Sequence, residues 1–291
     1  MFFLKNKLFL LVFVVWAISL SFRMSTYDPT MPIVMDSLNF FSYAIDIHVL
    51  GGLPENYTVT KPGWSILLAG LFSIFDFSET DSYMQLQRIT SIIISSVIIF
   101  PLYFLCNVFV EKKYSIIGVT LFAFAPRLIE NSMNGTTDPL FILFLTMTIL
   151  FFLKNSKKSI YISFLIAGIS AIIRPEGLFL FLAISFLLIF KFKNEKFKFP
   201  KYLLAIIIFV IVLLPFALYA EQVNPGTSSF SRIIYSAAQY FQTSDEEVYT
   251  TSDGHSFIAS KISATTGLEY FGKYLSWVMV PMFIITAPIG F

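Results

Sequence analysis

The sequence predicts an all-α protein, a polytopic transmembrane helical bundle with about eight to nine membrane segments, and three observations support this prediction. Hydrophobic residues make up 56% of the 291 positions and charged residues only 13%, whereas a soluble domain carries about 25% charged residues. Phenylalanine contributes 35 residues, which suits lipid-facing helices and the aromatic belts at membrane interfaces. The apolar residues also form runs of helical length. The chain therefore has too little charge to cover a water-facing surface.

The apolar runs are the candidate membrane segments, since a spanning helix needs about 20 mostly apolar residues. They cover residues 4–22, 62–77, 85–110, 115–130, 138–153, 159–173, 177–191, 201–220 and 271–291. The start of the chain is similar to a signal peptide, but no small-x-small cleavage site follows before Arg23. We therefore expect it to be retained as the first transmembrane helix. No linker or internal repeat divides the chain, and residues 1–291 are predicted to form a single transmembrane domain.

Two stretches, 23–61 and 221–270, are too polar to cross a membrane and are predicted to be external loops. Within the first stretch, Met35–Leu50 carries apolar residues at helical spacing. This pattern predicts an amphipathic helix that lies on the membrane surface, with Asp36 near its start. Glycine and proline residues directly after Leu50 end this predicted helix.

The basic residues between the apolar segments orient the chain, because cytoplasmic loops carry an excess of lysine and arginine. They fall at Lys5 and Lys7, Lys112–Lys113, Lys154–Lys158 and Lys191–Lys201. A strict count of crossings does not satisfy all of them, since Lys112–Lys113 becomes external if segments 62–77 and 85–110 each cross once. Two explanations stay open. Either one segment is a half-helix or hairpin, with Pro101 as a candidate bend, or the short loop breaks the rule.

Ionisable residues next to apolar segments are functional candidates, because a charge is costly there. Asp36 is interpreted either as a helix N-cap or as a general base that faces a polar cavity. Lys61 is interpreted either as a residue that extends toward the lipid headgroups or as a contact for a lipid phosphate. Asp138, which precedes Pro139, fits a helix cap and could also face a cavity.

The sequence IIRPEGLFLF places Arg174 and Glu176 on either side of a proline between two apolar runs. One interpretation is a polar turn between helices. The other is a helix break that lines a cavity, where Arg174 binds a phosphate or pyrophosphate and Glu176 orients it. His48 and His255 do not have the spacing of metal ligands, so no metal site is predicted.

Four motifs in their order along the chain resemble the membrane glycosyltransferases of the C fold type, which include protein O-mannosyltransferases and the aminoarabinose transferases that modify lipid A. The resemblance runs from the N-terminus to about residue 220 and rests on the order of the motifs and on their placement relative to the helices. The motifs are DSLNFFSYAIDIHVLGGLP, KPGWSILLAGLFSIF, APRLIENSMNGTTDPLFILF and IIRPEGLFLF.

The resemblance implies transfer of a sugar from a polyprenyl or dolichyl phosphate donor to a protein or lipid acceptor, by an inverting route. The reaction is expected on the external or lumenal face of a multi-pass protein of the plasma membrane. Asp36 is expected to act as the general base, while Lys61 and Arg174 stabilise the departing lipid phosphate. Asp138 and Glu176 complete the expected substrate-binding set.

Two departures from the family qualify these expectations. Many members place a second acidic residue beside the first-loop aspartate, whereas position 37 here is Ser37. No cofactor is therefore assigned, and a divalent metal requirement is doubtful. The chain also ends in an apolar run at Phe291, and family members are usually longer, so we expect it to be C-terminally incomplete.

Two other functions remain as alternatives to a glycosyltransferase. A transporter or flippase of lipid-linked substrates would also use intramembrane charges, although the paired broken helices of transporters are not evident here. A non-catalytic scaffold subunit of the cell envelope is the second alternative. Membrane lipids are expected partners in every case, whereas the net charge of +2 gives no reason to expect nucleic acid.

Overall fold

The computed structural model describes most of the chain up to residue 223 and three short pieces beyond it. The described residues are 7–33, 36–59, 61–154, 156–191, 198–223, 246–250, 256–260 and 269. They belong to two compact units, 1–232 and 233–291, and each unit is considered by itself. The predicted segment 271–291 and His255 lie outside the described residues.

The first unit is helical throughout its described secondary structure, which confirms the helical character expected from the sequence. Its helices are α1 Lys7–Thr26, α2 Asp36–Leu50, α3 Gly63–Phe75, α4 Thr80–Val97, α5 Ile99–Phe109, α6 Lys112–Ala123, α7 Pro126–Met133, α8 Asp138–Leu153, α9 Lys157–Ile173, α10 Glu176–Lys191 and α11 Lys198–Val223.

The second unit contains a short antiparallel hairpin that the all-α prediction did not include. Its strands are β1 Glu246–Thr250 and β2 Ser256–Ser260. They pair so that Glu246 lies opposite Ser260 and Thr250 lies opposite Ser256. The hairpin falls within the polar stretch 221–270.

Three helical stretches of the described residues are long and apolar enough to cross a membrane. They are Lys7–Thr26, Thr80–Phe109 and Phe199–Val223, while Gly63–Phe75 and Asp138–Leu153 are apolar but shorter. Several apolar helices therefore indicate an integral membrane protein. The larger number of about eight to nine segments stays a prediction.

Proline residues explain where the observed helices depart from the predicted segments. The segment 115–130 is divided, because α6 ends at Ala123 and Pro126 begins α7. Proline disfavours helical geometry in the residue before it, and Ala125 is extended, with ψ at 120°. Pro101 likewise lacks the N–H that would bond the carbonyl four residues earlier, and α4 passes into α5 across that turn at Ile98.

Helix α1 runs antiparallel to α4 and α5. The ring of Phe9 stacks on Phe104 with centroids 6.0 Å apart, and the indole of Trp16 donates to the hydroxyl of Ser96 at 3.2 Å. At the far end of α1, the guanidinium of Arg88 lies 4.6 Å from the centre of the Tyr27 ring. The start of α1 and the end of α5 therefore occupy the same end of the bundle.

Arg23 is a fully buried charge where α1 meets α4 and α6. Its guanidinium donates to the carbonyl of Ala123 at 2.9 Å and to the hydroxyl of Ser95 at 3.5 Å. It also contacts the hydroxyl of Ser19 within its own helix. Because Ala123 is the last residue of α6, Arg23 neutralises the negative end of that helix dipole.

Helices α8, α9 and α10 alternate in direction. The ammonium of Lys191, at the end of α10, donates to the carbonyl of Lys154 at 3.2 Å, just after α8. At the opposite end, Arg174 forms an ion pair with Asp138 at the start of α8. A buried apolar cluster that includes Phe164 joins α9 to α10 and α11.

Helices α2 and α3 pack against each other beside the first half of α4. The hydroxyl of Ser65 donates to the carbonyl of Phe40 at 2.8 Å, which fixes α3 on α2. The rings of Phe72 and Tyr83 lie 4.9 Å apart, so the end of α3 contacts the start of α4. The helix predicted from Met35–Leu50 is thus present, with bounds that agree within one residue, and its position on the membrane surface stays a prediction.

We expect Gly177→Ala to destabilise the protein, because α10 approaches the backbone of α9 at this position. A methyl group on Gly177 would lie 2.5 Å from the nitrogen and 2.6 Å from the Cα of Ala171. Overpacking against the backbone costs about 1–3 kcal/mol of folding free energy. The loss should appear as a lower midpoint of thermal unfolding in detergent. Gly70→Ala is the control, since nothing lies within 4 Å of that position. Equal midpoints for the two variants would contradict the tight α9–α10 contact.

Candidate functional site

The site begins at the break between α9 and α10. Arg174 follows the last residue of α9 and is extended, with φ −147° and ψ 140°. Pro175 favours this geometry because it excludes the helical region for the residue before it. The backbone N–H of Arg174 still reaches the carbonyl of Ser170 at 2.9 Å. The guanidinium is therefore held at the helix break, as the sequence suggested for a polar turn.

Arg174 joins two carboxylates from different helices. Its Nη2 and Nε lie 2.7 Å and 3.2 Å from the two carboxylate oxygens of Glu176, a bidentate arrangement that fits the planar guanidinium. Its Nη1 pairs with Asp138. The second oxygen of Asp138 accepts a hydrogen bond of 2.9 Å from the amide of Asn131. The three charged side chains are 25–46% exposed, so the cluster opens toward solvent.

The charges around Arg174 include that of Asp36. The hydrogen bond to Glu176 raises the pKa of Arg174 above its ordinary value, and the charges of Asp138, Glu176 and Asp36 act in the same direction. Partial burial opposes them. The guanidinium thus stays charged at any physiological pH. The carboxylate of Asp36, which is exposed at the start of α2, lies within electrostatic range of the ion-paired cluster.

Lys61 approaches the same cluster from the start of α3. A Cβ on Gly63 would lie 2.9 Å from the Cγ1 of Ile173, so the beginning of α3 touches the end of α9 beside Arg174. Lys61 is partly exposed and is near enough for its charge to act on Glu176. The structure thereby joins Asp138, Arg174 and Glu176 in direct contact, and Asp36 and Lys61 lie within electrostatic range of them. Their roles in binding and catalysis stay predictions.

Gln87 links the backbone segments that carry Asp36 and Asp138. Its side-chain amide donates to the carbonyl of Ser37 at 3.1 Å and to the carbonyl of Gly135 at 2.9 Å. Gln87 is fully buried. A search for charged residues misses Gln87 because it is neutral, and misses Asn131 for the same reason. For Gln87, the available signal in the sequence was a polar residue inside the apolar segment 85–110.

Two of the acidic residues at the site form ion pairs with Arg174. Asp138 and Glu176 both pair with that guanidinium, which reduces the negative charge available to a cation. No group of three histidine, cysteine or acidic side chains in the described ranges has the arrangement of a metal site. His48 instead lies 3.1 Å from the hydroxyl of Ser73, in the contact between α2 and α3.

The apolar helices and the charged cluster at their ends define a membrane protein with a polar site at one end of the bundle. The family model of dolichyl-phosphate-mannose-protein mannosyltransferases matches residues 61–219, which is more than half of the chain. The chain therefore belongs to this family and is a membrane glycosyltransferase, which confirms the resemblance seen in the sequence. The match contains Lys61, Asp138 and Arg174, and Asp36 precedes it. No curated protein matches the chain.

Proposed function

We propose that the chain transfers a hexose from a polyprenyl- or dolichyl-phosphate donor to a protein or lipid acceptor, with Asp36 as the general base. The observation that carries the proposal is the position of Asp36, an exposed carboxylate within electrostatic range of the Asp138–Arg174–Glu176 cluster. An acceptor can reach this carboxylate from solvent. The neighbouring cations, Arg174 and Lys61, would stabilise a phosphate leaving group bound beside Asp36.

In the proposed reaction, Asp36 takes the proton of the acceptor hydroxyl or nitrogen as that atom attacks the anomeric carbon of the sugar. The bond between the anomeric carbon and the phosphate oxygen breaks, and the electron pair leaves with the lipid phosphate. A single displacement of this kind inverts the anomeric configuration. General-base catalysis contributes about 10²- to 10⁴-fold to such a step.

Arg174 and Lys61 stabilise the negative charge that develops on the leaving phosphate. The guanidinium has five N–H donors, and its pairs with Asp138 and Glu176 use one from each nitrogen. One hydrogen on each terminal nitrogen is left for a phosphate oxygen. The two carboxylates orient the guanidinium before the substrate arrives, and Lys61 adds a mobile positive charge.

We place this site at the external end of the bundle. The helix directions support seven crossings within the described part of the chain, by α1, α4–α5, α6–α7, α8, α9, α10 and α11. Helices α2 and α3 then stay on the external side. This arrangement brings Lys7, Lys112–Lys113, Lys154 and Lys191 to one end, as the positive-inside rule requires. The predicted segment 271–291 would add an eighth crossing.

Cysteine labelling tests this topology. With Cys106, the single cysteine of the chain, replaced by serine, we expect Gly52→Cys to react with a membrane-impermeant maleimide on intact cells. Lys113→Cys is expected to react only after the membrane is permeabilised, because α3 does not cross. Both positions are exposed. Labelling of Lys113→Cys on intact cells would show that α3 is a true crossing.

The activity itself is tested in membranes that contain the chain and a polyprenyl-phosphate hexose donor. We expect release of the lipid phosphate together with a glycosylated protein or lipid, and neither product in membranes without the chain. Movement of the intact donor between leaflets without transfer would favour the transporter alternative. Absence of both would favour a scaffold role.

A further inference from the structure

A cavity lies between α1, α4 and α7, away from the charged cluster. Its volume is about 700 Å³, within the range of small-molecule sites. The walls are mostly apolar and include Phe22 at the end of α1, Phe124 before α7, and Ile129 and Met133 on α7. The proposed function leaves this cavity without a role.

Arg88 places a positive charge in the wall of the cavity. The side chain is 4% exposed, and it donates to the carbonyls of Met31 at 2.8 Å and Met133 at 2.7 Å. Among the residues that the structure describes, no carboxylate lies within ion-pair distance of it. A buried charge without a counterion is costly, so an anionic group in the cavity would be stabilised here.

Arg88 has an aromatic neighbour in Tyr27. The Tyr27 ring lies 4.6 Å from the guanidinium carbon. Its hydroxyl is buried and makes no hydrogen bond to any described part of the chain. Buried hydroxyl groups normally have a partner. Arg88 lines the cavity and Tyr27 does not, so this hydroxyl is a neighbour of the proposed phosphate position and not part of the cavity wall.

Two carboxylates occupy the mouth of the cavity. Asp28 and Glu130 line it and are both exposed. Asp28 accepts hydrogen bonds from the backbone and hydroxyl of Thr30 through one oxygen, at 2.9 Å and 2.7 Å. Its charge acts on the Arg88 guanidinium without a direct ion pair. The cavity thus offers a buried cation, two exposed anions and apolar walls.

We propose that this cavity binds a zwitterionic phospholipid whose head carries a phosphate and a primary ammonium. The phosphate pairs with Arg88, the ammonium faces Asp28 and Glu130, and the acyl chains lie along the apolar walls. A purely anionic head would satisfy Arg88 but meet repulsion at the mouth. Under the proposed topology the cavity is level with the end of α1, at the outer headgroup region. The site is independent of the role of Asp36.

Native mass spectrometry of the full chain from detergent micelles tests the proposal. The micelles contain equal amounts of dioleoyl-phosphatidylethanolamine and dioleoyl-phosphatidylglycerol. The two lipids have the same acyl chains, and only the first carries an ammonium. We expect one bound lipid and a preference of about fivefold for phosphatidylethanolamine, as befits partly exposed charge pairs. Equal binding of the two lipids would overturn the zwitterion assignment.

Variants at the mouth separate the ammonium site from the phosphate site. The double variant Asp28→Asn with Glu130→Gln is expected to bind both lipids equally, because it removes the charges that face the ammonium. Since both carboxylates are exposed, the variant should still fold. Glu111→Gln, at another exposed carboxylate that is 71% accessible and pairs with Lys113, is expected to keep the preference. If the double variant kept the same preference for phosphatidylethanolamine as the wild type, the proposal would be contradicted.

Variants inside the cavity test its phosphate and acyl contacts. Arg88→Gln is expected to weaken the binding of both lipids by about tenfold or more, since it removes a charge-assisted contact with the phosphate. If that variant does not fold, Ile129→Trp serves instead, because it fills the cavity and leaves the Arg88 hydrogen bonds in place. Unchanged lipid binding by Ile129→Trp would show that the bound lipid lies elsewhere.

Discussion

Replacing Asp36 by asparagine is expected to lower the rate of sugar transfer by about 10²- to 10⁴-fold, the range for loss of a general base. Asparagine caps a helix about as well as aspartate does, so the start of α2 should remain intact. The substitution therefore separates the two interpretations of Asp36, helix cap and base. The measurements are the turnover of a polyprenyl-phosphate hexose donor and the unfolding midpoint of the same preparation.

Asp46→Asn is the matched control, because Asp46 lies on the same helix and its carboxylate accepts a hydrogen bond from the Tyr57 hydroxyl. We expect its rate to stay close to that of the wild type. Asp36→Ala should lose activity and also some stability if the cap matters. Wild-type turnover by Asp36→Asn would exclude Asp36 as the base while leaving family membership untouched.

Replacing Arg174 by glutamine is expected to have the second-largest effect. The substitution removes the cation that Asp138 and Glu176 share, and it removes a donor for the leaving phosphate. We expect transfer to fall by about 10²-fold. The free energy of unfolding should fall by about 1–2 kcal/mol, less than for a buried pair because solvent screens these partly exposed groups.

Arg174→Lys distinguishes charge from geometry at this position. Lysine restores the positive charge but not the bidentate contact with Glu176, so we expect stability to recover more than activity. Lys113→Gln breaks an ion pair that is largely exposed and should change neither quantity. Full activity in Arg174→Gln would mean that another cation stabilises the phosphate, and Lys61 would be the first to test.

Local patterns in the sequence predicted the elements that depend on local geometry. The spacing within Met35–Leu50 predicted α2 because one face of a helix repeats every 3.6 residues. Pro175 predicted the break after α9 because its ring restricts the residue before it. By contrast, segment 115–130 was predicted as one helix, since apolar content continues across Pro126 and hides the end of α6 at Ala123.

Contacts between helices could not be predicted from these patterns. Arg174 and Asp138 are 36 residues apart, and they meet only because α8 and α9 pack antiparallel. The link made by Gln87 depends in the same way on three separate segments. The hairpin of β1 and β2 was missed because two short strands within a polar stretch give only a weak alternating pattern.

The buried position of Arg23 bears on how the chain is assembled in a cell. Its partners Ser95 and Ala123 lie 72 and 100 residues further along the chain. When α1 leaves the ribosome, neither partner has been synthesised, and an arginine in lipid without partners is costly. We therefore expect α1 to take its final depth, with Arg23 buried against α4 and α6, only after α6 is complete. Translation arrested before residue 123 should leave α1 near the membrane surface or held by the insertion machinery.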